Sequence, residues 1–407
     1  PADAGSKVKV TDLKMDIYKP KTSVDATTDR PVVVFIHTGN FLPPPINGSP
    51  TGVKTDSSAI VLCQSWAKRG YVAVSIDYRL GWNPLATSVY ERRGQLLNAV
   101  YRAIHDTKQA VRYIKDNATM YGIDANKVVL YGEGSGAYVG LAYETLDKYP
   151  DMELPKFSNP LTGKSFIDTA TVGLIDGSGG LLNLYAKSST STEVRAVVSA
   201  GGALADTSWL EAGDAPMISF QCVRDPFAPF NEGTVIVPTT NEDVVEVQGA
   251  NLYIKKANEL GNNDAIKDMK DGTPFTAIAR AKYGKTYDYI YTAPLDKMTV
   301  NENVEGLFPI IRPLGASLVQ NQAGPWQWWD PNSPLATAQV APGVTAHMAS
   351  LQSNPTMSPA QGRAYIDTIM GYMCPRVAVI LGYYQADALS ASTVNKIPGT
   401  LMPNPAV

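Results

Sequence analysis

Polar and apolar positions alternate at the start of the chain. Lys7-Val8-Lys9-Val10 and Leu13-Lys14-Met15-Asp16-Ile17 turn one face to solvent and one to a core, the pattern of half-covered antiparallel edge strands. A leading hairpin is expected there. The pattern then changes to Val32-Val33-Val34-Phe35-Ile36, an unbroken β-branched and aromatic run typical of a strand covered on both faces. Residues 71–76, 127–131, 194–199 and 217–220 read as further buried strands. Between them the period moves to that of a helix. Residues 57–70 set Ile60, Val61, Trp66 and Ala67 on one side and stop at Gly70. Over 91–120, Leu96, Val100, Ala103, Ile104, Thr107, Val111 and Ile114 recur at threes and fours, which predicts one long amphipathic helix. Helices are also expected over 137–149, 251–260 and 359–372.

Strands alternating with helices, each crossover long enough for a right-handed connection, predict an α/β fold with a doubly wound, mostly parallel sheet. Ligands then belong at the carboxyl ends of the strands. Two glycine-bearing turns, at His37 and Gly132, close such strands. Residues 1–400 are expected to form one domain with insertions at about 150–193 and 261–359, and 401–407 to be a remnant of a linker or sorting segment.

Composition narrows the function classes. The 407 residues, 44% of them hydrophobic, can bury a large core. A formal net charge of -3 without a basic stripe argues against nucleic acid as a partner. No apolar run approaches the length of about eighteen residues that a membrane span needs, and the first nine residues lack the features of a signal peptide. If the protein is exported, the chain is expected to be its processed form. Cys63, Cys222 and Cys374 lie far apart, so no zinc site is expected; no cofactor or metal ligand is assigned, and calcium in the Asp/Asn-rich loops stays open. The thiols are either all buried and apolar, or one pair is bridged and one thiol is free.

Candidate chemistry centres on residues 128–137, Val-Val-Leu-Tyr-Gly-Glu-Gly-Ser-Gly-Ala, where an apolar run enters a glycine-rich turn and a helical pattern follows. A nucleophile elbow reads Gly-x-Ser-x-Gly, because small residues two before and two after the serine allow a sharp turn that exposes the hydroxyl. Gly132 and Gly136 hold the flanking places, Gly134 holds the serine's, and Ser135 sits one step late.

Four stretches in this order resemble α/β-hydrolases of the carboxylesterase and lipase group, over roughly residues 10–235. His37-Thr38-Gly39-Asn40 resembles the family's His-Gly-Gly-Gly oxyanion turn, and Asp77-Tyr78-Arg79-Leu80 its Asp-Tyr-Arg-Leu strand end. Tyr121-Gly122-Ile123-Asp124 resembles the lead-in to the nucleophile strand. Asp225-Pro226-Phe227-Ala228-Pro229-Phe230 is similar to the loop carrying the triad acid.

The resemblance implies an acyl-transfer site, and each role can be checked at its own position. Gly134 offers no nucleophile; Ser135 is the substitute, with a helix-capping hydroxyl as its plain alternative. Gly39, Asn40 and Ser135 would supply the oxyanion donors, although Thr38 and Asn40 replace glycines. Asp225 stands at the acid position, where an Asp-Pro turn would look the same. Of three histidines, His37 reads as packing at a strand end and His105 lies mid-helix, which leaves His347 as the candidate base. Pro325-Trp326-Gln327-Trp328-Trp329-Asp330 either walls a cleft or pins a long loop to the core.

Pro403-Asn404-Pro405-Ala406 resembles the opening of the type IX secretion sorting domain of Bacteroidota proteins, which implies an extracellular or cell-surface location. The expectation is an exported carboxylesterase-like protein that has lost serine-esterase chemistry. It would serve as a binding or structural component, assembling with itself or holding an extracellular small molecule or glycan. The alternative is an active extracellular esterase with Ser135 or Ser178 as nucleophile, His347 as base and Asp225 as orienter.

Overall fold

The computed structural model describes residues 10, 12–185, 188–237, 242–270, 272–289, 296–312 and 321–384. The terminal segment 396–407 and the polar-apolar run 7–9 lie outside the described residues.

The core is a seven-stranded sheet. Its strands are β1 (Met15–Tyr18), β2 (Arg30–Ile36), β3 (Val72–Ile76), β4 (Ile123–Glu133), β5 (Ala196–Ala200), β6 (Met217–Cys222) and β7 (Leu307–Ile310), in the spatial order β1-β3-β2-β4-β5-β6-β7. All neighbours pair in parallel except β1, which runs antiparallel to β3 with Met15 opposite Ile76. The expected α/β architecture is thus present, with β1 paired to β3; the first arm of the expected leading hairpin lies outside the described residues.

The longer helices are α1 (Ser57–Ala67), α2 (Val89–Asp116), α3 (Ser135–Thr145), α4 (Ala250–Glu259) and α5 (Pro359–Ile380). They form two apolar layers with the sheet, because side chains alternate between its faces along each strand. On β2, Val32, Val34 and Ile36 face one layer with α2, α3 and α4. Val33 and Phe35 face the other, with α1 and α5. Both faces of the sheet are covered, which is why its strands read as continuous apolar runs.

Three departures from the sequence reading have a physical cause. The helix expected over 91–120 ends at Asp116; a separate turn, Ala118–Tyr121, follows and closes at Gly122 in the left-handed region. The last helix continues past Tyr372 to Ile380, carrying Pro375 inside it. Strand β7 has no counterpart among the expected strands, because it is four residues long and contains Pro309. An edge position tolerates a proline, which withholds only one ladder donor.

All three cysteines are free and buried, which decides between the two readings in favour of apolar thiols. Among the described residues no helix is long and apolar enough to cross a membrane, and no group of three or more His, Cys, Asp or Glu could hold a metal ion.

Candidate functional site

Strand β4 enters α3 through Gly134, whose φ of 55° and ψ of -121° are open to glycine and costly for other residues. The flanking glycines serve a close approach: a Cβ on Gly132 would lie 2.2 Å from Gly136 O, and one on Gly136 would lie 2.1 Å from Ile36 O. The backbone is therefore that of a nucleophile elbow. A Cβ at Gly134, however, would meet Thr38 Oγ1 at 2.2 Å and Thr38 Cβ at 2.9 Å. The place of the nucleophile's side chain is filled from the neighbouring strand end.

That strand end is the turn after β2. Gly39, Asn40 and Phe41 follow one another at φ of 129°, 55° and 57°. Trp82 Nε1 donates to Asn40 O at 2.9 Å, and Asn40 Nδ2 donates to Asn47 O at 3.3 Å. These bonds hold two non-glycine residues in the left-handed region, a conformation that persists only where the surroundings enforce it. His37 is fully buried, stacked on Tyr78 at 4.4 Å, with Nδ1 2.5 Å from Thr38 O; burial pushes its pKa down to about 4, so it is neutral.

Ser135 lines a cavity at the carboxyl ends of the strands, and its hydroxyl lies 3.3 Å from the Tyr78 hydroxyl, which donates to His37 O at 2.8 Å. Asp225 Oδ1 accepts the N-H groups of Phe227 at 2.8 Å and Ala228 at 3.0 Å, while Oδ2 has no hydrogen-bond partner among the described residues. Burial pushes its pKa up to about 7. His347 sits in the helical turn Ala346–Ser350 and accepts, through Nδ1, the indole N-H of Trp329 at 3.1 Å. The nitrogen that a triad acid would orient is thus taken by tryptophan, and among the described residues no hydrogen bond joins His347 to Asp225 or Ser135.

Ser178 is exposed and donates to Asp176 Oδ1 at 2.7 Å, away from the cavity lining. His105 is buried on α2, 3.3 Å from Asn183 Nδ2, and burial pushes its pKa down to about 3.

The cavity has a volume of about 490 Å³. Thr38, Gly134, Ser135 and Asp225 stand at it together with Glu133, which the sequence pattern marks only as a bulky residue inside the elbow. Glu133 is fully buried, accepts Ser58 Oγ at 3.2 Å on both oxygens, and takes Gln327 Nε2 at 2.5 Å. Burial raises its pKa to about 7. The tryptophan loop is packed inward: Trp326 is 1% exposed and Trp328 and Trp329 are 8% exposed, so both expectations hold in part. Trp326 and Trp329 wall the cavity while the loop is pinned.

Residues 15–203 match the BD-FAE family model, a stretch that includes the oxyanion-type turn and the elbow. The chain carries the α/β-hydrolase fold. Over 125 residues it is 29% identical to "Neuroligin-like protein glit-1" of Caenorhabditis elegans, and over 128 residues 32% identical to "Carboxylesterase 3B" of Mus musculus. Each match covers 31% of this chain and only 15% and 19% of those relatives, so the similarity concerns a small part of their length. Among solved structures, an esterase of Thermogutta terrifontis aligns over 55% of this chain and 72% of its own at 20% identity, with a TM-score of 0.35. The relatives matched in part include carboxylesterases and lipases as well as neuroligin-like proteins.

Proposed function

We propose that this carboxylesterase-like protein binds a small molecule at the carboxyl end of its sheet without hydrolysing it. The observation that carries this reading is the Thr38 side chain in the space a residue at Gly134 would need. Two further features support it. The Nδ1 of His347 is engaged by Trp329, and Asp225 is held by its own loop rather than by a histidine. Loss of the nucleophile or the base alone costs a serine protease such as subtilisin about a millionfold in turnover, and a site without either retains little triad chemistry. The cavity itself has a volume within the roughly 300–1,000 Å³ of small-molecule sites.

The rival reading, an esterase using Ser135, draws on that residue's place at the cavity and its contact with Tyr78. Stopped-flow hydrolysis of 4-nitrophenyl esters separates the two. The binding reading expects no burst, and a residual rate unchanged in Ser135→Ala and His347→Ala. A stoichiometric burst abolished by Ser135→Ala would establish the esterase. An extracellular setting is part of the proposal on the strength of the 403–406 resemblance alone, and fractionation of producing cells tests it.

A further inference from the structure

The two ends of the cavity differ in chemistry. One wall is built by Leu96, Val100, Ile104, Leu146, Phe157 and Val247, all apolar and contributed by α2, the residue after α3, the helical turn Pro155–Phe157 and the strand Asp243–Gln248. This lobe offers mainly dispersion contacts, since the Tyr101 hydroxyl and Trp209 indole N-H that also line the cavity already donate to Gly173 O and Asp151 O, which suits an aliphatic chain. At the elbow end stand two carboxyl groups. Glu133 has its oxygens engaged by Ser58 and Gln327. Asp225 keeps Oδ2 open, on the side where a Cβ on Gly201 would come within 3.5 Å of it and 3.6 Å of the Trp326 ring.

We infer that the cavity takes a single-chain aliphatic molecule whose head donates a hydrogen bond and carries no negative charge, an alkyl alcohol or amine, with Asp225 Oδ2 as the acceptor. This rests on the binding reading proposed for the same cavity. Asp225 is half-buried at the cavity, so a head that donates to Oδ2 replaces water there and makes a charge-assisted hydrogen bond. A carboxylate head would bring a third acidic group beside Asp225 and Glu133, where like charges repel. The raised pKa values of both side chains show that negative charge is already disfavoured there. The cavity therefore selects by the sign of the head as well as by the length of the chain.

Trp82, Trp209, Trp326 and Trp329 line the cavity and report its occupancy through their fluorescence. The unaltered protein is titrated at pH 8 with decanol, decylamine and decanoate, below their micellar concentrations. Saturable binding of decanol or decylamine, with decanoate at least about tenfold weaker, is the expected result. Asp225→Asn is expected to narrow that gap by about tenfold, while the order of the three probes on the unaltered protein needs no variant. Decanoate binding as tightly as the other two would overturn the assignment of the head and leave the binding reading standing. Saturation by none of the three would overturn this inference, whereas the binding reading falls with a stoichiometric ester burst.

Discussion

Thr38 and Gly134 exclude each other's side chains: a Cβ at Gly134 would lie 2.2 Å from Thr38 Oγ1, closer than real Cβ contacts come. The turn after β2 thus occupies the space in which a side chain at position 134 would stand. Gly134→Ser alone is therefore expected to destabilise the protein by about 1–3 kcal/mol, from steric conflict and from a backbone conformation costly for serine. Adding Thr38→Gly is expected to recover part of that loss, with no ester hydrolysis above background in either protein. Urea denaturation and a 4-nitrophenyl butyrate assay check this; a stable, hydrolytic Gly134→Ser would refute it.

Arg79 ties residues 182–185, within the stretch expected to be an insertion, to α2. Its guanidinium donates to Asp106 at 2.8 Å, to Leu182 O at 2.9 Å and to Asn183 Oδ1 at 2.9 Å, and Asp106 is completely buried. Lysine keeps the charge but not the planar fork, so Arg79→Lys is expected to lose about 1.5–3 kcal/mol of these charged hydrogen bonds. Chymotryptic cleavage at 181–185, followed by mass spectrometry, should become faster in the variant. An unchanged cleavage rate would show that the insertion is held by other contacts.

Burial raises Glu133 from the ordinary 4.5 to about 7. A carboxyl group raised on folding stabilises the native state below its unfolded pKa, and that contribution is lost as pH climbs from about 4.5 through 7. Asp56, raised to about 7 mainly by its own burial, is present in both proteins, so only its small repulsion by Glu133 enters the difference, in the same direction. His37 and His105, lowered to about 4 and 3, act in the opposite sense but are common to wild type and variant. The melting temperature of Glu133→Gln relative to wild type should therefore rise between pH 5 and pH 8. Calorimetry at both values tests this, and a constant difference would contradict it.

Glu305 joins the segment before β7 to α5. It accepts Arg376 Nη2 at 2.5 Å and Arg280 Nε at 2.8 Å, and Arg376 is 0% exposed. Removing one partner of a buried pair typically costs about 3–5 kcal/mol, because the remaining charge stays desolvated. Glu305→Gln is expected to fall in that range by urea denaturation. A loss below about 1 kcal/mol would mean that the pair contributes little.

What can be read from the chain depends on whether the signal is local. The buried strands are legible because a strand covered on both faces must be apolar throughout, and the elbow because Gly132 and Gly136 answer to backbone contacts at fixed offsets. Strand β7 is hidden by Pro309, and the continuation of α5 by Pro375, each a breaker overridden by its surroundings. At Asp225 the two readings coincide, since the residue both caps its own turn and faces the cavity. The conflict of Thr38 with Gly134 and the bond between Trp329 and His347 join residues that pattern alone does not bring together. Glu133 lies in plain view inside the elbow, and its burial with Ser58 and Gln327 is a tertiary fact.

The most direct test of the central claim is reaction of the protein with a fluorophosphonate probe, followed by intact-mass measurement and peptide mapping. A site whose nucleophile space is filled by Thr38 predicts no stoichiometric adduct, and none at Ser135 or Ser178 in particular. Clean labelling of a single serine would contradict it and show that the cavity belongs to a working hydrolase.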